Sequence, residues 1–324
     1  MKARFLGYSL LLAAGLIAPF VVYPIFLMHA LCFALFACAF NLLLGYTGLL
    51  SFGHAAFFGA AAYTTGYAVK IMGFGPAAGI FAGTVAAVAL GSVFGMLVIR
   101  RQGIYFAMIT LALAQLVYFA FLQSSFTGGE DGIQGIPRGH LLWTINLADD
   151  RKLYYFVLAI FLFGFVLIHR TIHSPFGQVL KAIRENEPRA LSLGYDVNKY
   201  KLQAFVISAA LSGLAGATYA IVFTFVTLTS ADWHTSGDVV LMTLLGGMGT
   251  VFGPIVGAFA LVTLQSQLAD KVGSLVTVIM GTMFIVCVLL FRNGIVGEAA
   301  GLYYRVVGRR TVGRGSQVQG PDLP

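Results

Sequence analysis

The chain has 324 residues, 59% hydrophobic and only 10% charged, with a mean hydropathy of +0.88 and a net charge of +8. Apolar runs of about 20 residues recur along it, each long enough to cross a ~30 Å hydrocarbon core. These continuous runs exclude a transmembrane β-barrel, whose strands alternate in polarity, and they leave no interval large enough for a separate soluble domain.

The first run, Phe5 to about Leu27, follows Lys2 and Arg4 and lacks a small-residue cleavage site, so it reads as an uncleaved first span. A second runs from about His29 to Leu44. The stretch Gly45–Tyr67 is rich in glycine and small residues, which mark close helix contacts in membranes. A break is expected at Gly45–Gly48, with a third helix from about Leu49 to Val69. A fourth span covers Pro76–Ile99 and stops at Arg100 and Arg101. A fifth covers Ile104–Leu122. Residues 123–152 form a long loop on the outer face, and a sixth span runs from Leu153 to Ile168.

Residues 170–201 are the most densely charged long interval in the chain. Ser174 is placed to cap a helix opened by Pro175, whose missing N–H is harmless in a first turn. Phe176, Val179, Leu180 and Ile183 share one helical stripe. Asn186 or Glu187 can cap a second short helix with Pro188 at its start, and Gly194 supplies a left-handed stop. The loop is thus a helix, a corner and a shorter helix. Docking of a cytosolic partner and a surface helix held in the headgroups by Lys181, Arg184 and Arg189 both fit this pattern.

A seventh span runs from Leu202 to about Leu228. The run Val239–Gly249 is too short to cross the core, so it is expected to enter, break near mid-depth at LGGMGTVFGP, and pass to a helix from about Val251 to Leu268. A last span covers Val272–Phe291. This makes ten segments, residues 1–307 forming one membrane domain with both termini inside, and residues 308–324 a disordered basic tail. In that placement fifteen of the twenty Lys and Arg lie inside, and seven of the twelve acidic residues outside. The positive-inside pattern therefore accounts for the charge, and no nucleic-acid partner is implied. Cys32, Cys38 and Cys287 sit in apolar runs without metal-ligand spacing.

No phosphate-cradling GxxxxGK[ST], HExxH or GxSxG occurs, and no proposed span holds a matched pair of charges. This weakens the case for an ion-coupled carrier. His54 has no visible nucleophile or acid partner, so packing or hydrogen bonding is the leading role for it, ahead of lining a path; Gln115 is similar. The candidates for lining a path or breaking a helix are Asn41, Gly45, Tyr46, Gly48, Ser51, His54, Gln115, Thr243, Gly246, Gly247 and Gly249. The segments LGYTG and LGGMG echo each other, each preceding an Ala/Gly-rich helix.

Five segments carry a resemblance: NLLLGYTGLLSFGHAAFFGAAAYT at 41–64, TGGEDGIQGIPR at 127–138, FGQVLKAIRENEPRALSLGYDV at 176–197, DWHTSGDVVLMTLLGGMGTVFGPIVGA at 232–258 and FRNGIVG at 291–297. The chain resembles the LivM-type permease subunits of bacterial branched-chain amino acid ABC importers. Asn293 stands where relatives often have proline. The resemblance implies an all-α, type II-like permease in the inner membrane. It also implies a second, LivH-like permease, two ATPases (LivG-like and LivF-like) that bind ATP and Mg, and a periplasmic binding protein. This chain itself would then need no cofactor and be no enzyme. Residues 178–194 would be the coupling helix, with Gly177, Lys181, Ala182, Asn186, Ala190 and Gly194 matching the family's loop spacing. Arg184, Glu185 and Glu187 would offer rim contacts to the ATPase. The alternative is a stand-alone carrier or channel for small organic solutes.

Overall fold

The computed structural model describes residues 15–141 and 145–272, together with 278–279, 281–282, 285 and 294–297. Most of the expected first span, most of the last span and the tail lie outside these residues. The helices are α1 (Pro24–Thr47), α2 (His54–Lys70), α3 (Pro76–Val98), α4 (Ile104–Gln123) and α5 (Asp150–His173), then the short α6 (Pro175–Glu185) and α7 (Glu187–Ser192). They are followed by α8 (Val197–Phe223), α9 (Trp233–Gly246) and α10 (Gly253–Val272). Five of them, α1, α3, α4, α5 and α8, are long and apolar enough to span a membrane. The protein is a polytopic helical membrane protein. A two-residue antiparallel pairing, β1 (His140–Leu141) with β2 (Ile145–Asn146), is the only sheet among the described residues.

The centre is α1, 89% buried over its most apolar window, with α8 next at 72%; α3 and α4, at 33% and 28%, lie at the periphery. Continuous hydrophobicity made α1 look like any other span, but its neighbours α5, α6, α8, α9 and α10 surround it. The α2, α3 and α8 cluster closes through small residues. A Cβ on Gly216 would fall 2.1 Å from the Phe58 carbonyl oxygen, so α8 meets α2 backbone to backbone there. At the C-terminal end of α8 a strap of residues 133–138 crosses the chain. Ile133 pairs with Val226 through both backbone hydrogen bonds, 3.0 and 2.9 Å, and Arg138 donates to the Val222 carbonyl at 2.8 Å while pairing with Asp150 at 2.7 Å.

Several expected boundaries move. The first two spans divide at Val21–Tyr23, because Pro24 can open α1 but cannot sit inside a helix. Gly45 does not break α1: the helix continues through it to Thr47 and stops at Gly48, which has φ +75° and closes the end by donating to Leu43 and Leu44 carbonyls. The following helix then starts at His54 rather than Leu49. The short re-entering helix begins at Trp233, six residues early, and ends at Gly246, three residues early, so at 14 residues and about 21 Å it is longer than expected at its outer end. Its break, Gly247–Phe252, lies against the very end of α1 and not half-way along it.

Candidate functional site

The α6–α7 pair forms as its cap residues dictate. Ser174 Oγ accepts from the Gly177 N–H at 3.3 Å, Asn186 Oδ1 accepts from Arg189 at 3.0 Å, and Gly194 stands at φ +86°. Leu180 and Ile183 are buried while Ala182, Glu185 and Arg189 are exposed, so the expected apolar stripe faces inward. Gly177 is buried too, because a Cβ there would meet the Thr171 and Ile172 carbonyls of the α5 end. Ala190, 2% exposed, packs with Ile183 and Val197. Asp196 caps α8 by accepting from the Lys199 N–H. Its hydrogen bond to the Lys199 side chain, with help from that backbone bond, holds its carboxyl below the ordinary carboxylate range.

Two of the residues expected at a partner's rim are engaged inside the chain. Glu187 Oε2 pairs with Lys201 Nζ at 2.7 Å, and Lys201 is only 3% exposed. Arg184 donates from its guanidinium to the Gly45 carbonyl. That carbonyl is in the last turn of α1, where no further helical N–H can reach it, and a cation there also meets the negative end of the helix dipole. Lys181 lies 5.7 Å over the Tyr46 ring beside it. Glu185 remains exposed.

The two glycine segments that echo each other in the sequence touch in space. Asn41 Nδ2 donates to the Thr250 carbonyl and its Oδ1 accepts from the Gly249 N–H, both at 2.9 Å. A Cβ on Gly45 would stand 2.8 Å from the Gly249 nitrogen, and one on Gly249 would stand 3.2 Å from the Arg184 guanidinium. Arg184, Asn41, Gly45, Gly48 and Gly249 are therefore one joint between α6, the end of α1 and the α9–α10 link. Just behind it α9 and α10 cross with their backbones touching: a Cβ on Gly246 would fall 1.8 Å from the Gly253 oxygen. Gly294, from the FRNGIVG motif, rests on Gly247. Sequence reading missed this meeting because a single chain shows the spacing of two breaks and not their separation in space.

The buried polar residues take another role. His54 is fully buried with Phe40, Phe57 and Phe205 around its ring. Its Nε2 lies 2.9 Å from Ser208 Oγ, and that hydroxyl donates to the Ala39 carbonyl at 2.6 Å. The hydroxyl has one proton, so His54 must be the Nε2 donor. Around the start of α2, Thr110 accepts from the Phe52 N–H, Ser51 from Gly53 and Ser236 from Ala55, filling donors that a helix start leaves open. Thr243 bonds the Val239 carbonyl within its own helix at 2.9 Å. Gln115 is half-buried on α4. These are packing and capping arrangements; His54, with no exposure, lines no open path in this structure.

The family model for the branched-chain amino acid transport system permease component matches residues 23–289, from the start of α1 past the end of α10. The chain belongs to that family. The permease is similar to the high-affinity branched-chain amino acid transport system permease protein LivM of Escherichia coli K12, at 31% identity over 258 residues, 71% of this chain. It is equally similar to the LivM of Salmonella typhimurium LT2. It also resembles the autoinducer 2 import system permease protein LsrC of Klebsiella pneumoniae, 31% identical over 184 residues, 55% of this chain and 52% of that protein. The match spans 60% of the length of the two LivM relatives.

Proposed function

We propose that the permease is the transmembrane half-path of an ATP-driven importer for branched-chain amino acids or related small amino acids and amides. It would lie in a bacterial inner membrane with both termini cytoplasmic. The observation that carries this is the capped α6–α7 pair. It is rigid, turned inward on its apolar side, and fastened through Arg184 to the end of the central helix. A simple connection between two spans needs no such lever. Its free side offers Glu185 and Arg189, which suit the rim of a cytosolic ATPase and set register more than affinity. ATP and Mg would be held by two such ATPase subunits. A second, homologous permease completes the path, and a periplasmic binding protein selects the substrate and docks on the strap side. The chain then does no bond chemistry of its own.

The test is uptake into liposomes. The chain alone, under any solute or ion gradient, should give none. Uptake should appear with its second permease, ATPases, binding protein and ATP. Joint reversal of Glu185 and Arg189 should leave assembly intact and separate ATP hydrolysis from uptake. Gradient-driven uptake by the chain alone would overturn the reading in favour of a carrier or channel.

A further inference from the structure

We propose that Arg184 is a latch: it holds the α6–α7 lever against the joint of the two glycine segments, and its release frees both segments together. The inference rests on the functional reading for its consequence in transport, but its structural part stands on geometry alone.

Three observations converge on it. Arg184 sits in the last turn of α6 and donates to the Gly45 carbonyl, one of the acceptors left open at the end of α1. The same side chain is the nearest neighbour of two glycines from opposite ends of the sequence: a Cβ on Gly48 would stand 3.3 Å from Arg184 Cγ, and one on Gly249 3.2 Å from its guanidinium nitrogen. Both glycines have positive φ, +75° and +77°, so neither position tolerates a side chain and the room is kept for the arginine. Asn41 then ties the second segment to the first through Gly249 and Thr250.

The latch is built to open. Arg184 stays largely solvent-exposed, so water can take over its hydrogen bonds when it withdraws. Once it has left, Gly45 and Gly249 have no side chains to replace it, and the two Asn41 hydrogen bonds keep the segments tied to each other. The crossing of α9 and α10 is packed backbone to backbone at Gly246 and Gly253, so the more open link between them and residues 48–53 after α1 are where movement falls. A pull on α6 reaches Gly45 directly and Gly249 through contact, which makes the two segments move as one. Lysine in place of arginine would keep the charge but lose the forked donors.

The experiment is hydrogen–deuterium exchange on the full chain in lipid nanodiscs, with whatever partners co-purify, comparing wild type, Arg184→Gln and Arg184→Lys. In Arg184→Gln, exchange across 48–53 and across 247–252 should rise together, by about tenfold or more for loss of a charge-assisted bond. Exchange in α3 and the thermal midpoint should stay unchanged, and Arg184→Lys should fall between. In the assembled importer, Arg184→Gln should raise ATP hydrolysis in the absence of substrate. A rise confined to α6, or in only one of the two segments, would overturn the latch, as would unaltered exchange in both. If no ATPase co-purifies, the functional reading falls while the exchange result still decides the latch.

Discussion

The Glu187–Lys201 pair yields a sharp prediction because its two ends are unequally buried. Lys201 is 3% exposed and Glu187 23%. Replacing Glu187 with alanine strands an ammonium that has no other partner among the described residues, and breaking a buried pair from that side costs about 3–5 kcal/mol. Replacing Lys201 with methionine leaves a carboxylate that can turn to water, at about 1–2 kcal/mol. Glu187→Leu with Lys201→Met together should come back close to wild type, since neither charge is left behind. The loss should be local, because α7 has only six residues and holds to the rest of the chain chiefly through Ala190 and this pair. Trypsin cleavage after Arg189, measured on the chain in nanodiscs, reports the open population. Cleavage should speed up by about 100-fold or more in Glu187→Ala and about tenfold in Lys201→Met. A larger effect for Lys201→Met, or a double variant as open as Glu187→Ala, would refute the argument.

Other sites give further expectations. Gly216→Ala should fail to pack, losing about 1–3 kcal/mol or more because its Cβ meets a backbone oxygen at 2.1 Å, whereas Gly237→Ala, with nothing within 4 Å, should be neutral in a thermal-shift assay. Ser208→Ala removes the acceptor of the buried His54 Nε2–H and should lower stability by about 1–3 kcal/mol, while uptake per folded molecule stays unchanged. Arg138→Met should release the strap, seen as faster exchange at residues 133–138, with α6 and α7 unaffected. Faster exchange at α6 in that variant would contradict the packing described.

Much of this architecture was legible in the amino-acid order. Ser174, Pro175, Asn186, Pro188 and Gly194 act locally, through caps and backbone angles, so the helix–corner–helix at 175–192 came out as read. Pro76 and Arg100 likewise bracketed α3 closely. The misplacements share one cause. Gly45 looked like a breaker because glycine is a poor helix former. Its actual use is to let Gly249 approach, a requirement set some 200 residues away. Glu187 and Arg184 looked like surface charges on a charged loop. Their partners, Lys201 and a main-chain carbonyl, leave no trace in local spacing. His54 stood out as an ionisable group in an apolar run, and only the ring of phenylalanines with Ser208 shows that it is a packed donor.

The strap and the buried ion pair are attached to opposite ends of one rod. The helix between them, Val197–Phe223, has 27 residues and is about 40 Å long. Arg138 grips it at one tip through the Val222 carbonyl, Ile133 holds the chain just past that tip at Val226, and Glu187 grips it four residues inside the other end. A load on the strap therefore falls on the same helix that carries the Lys201 end of the α7 ion pair. One continuous helix thus joins the anchor of the outer strap to the anchor of the charged loop.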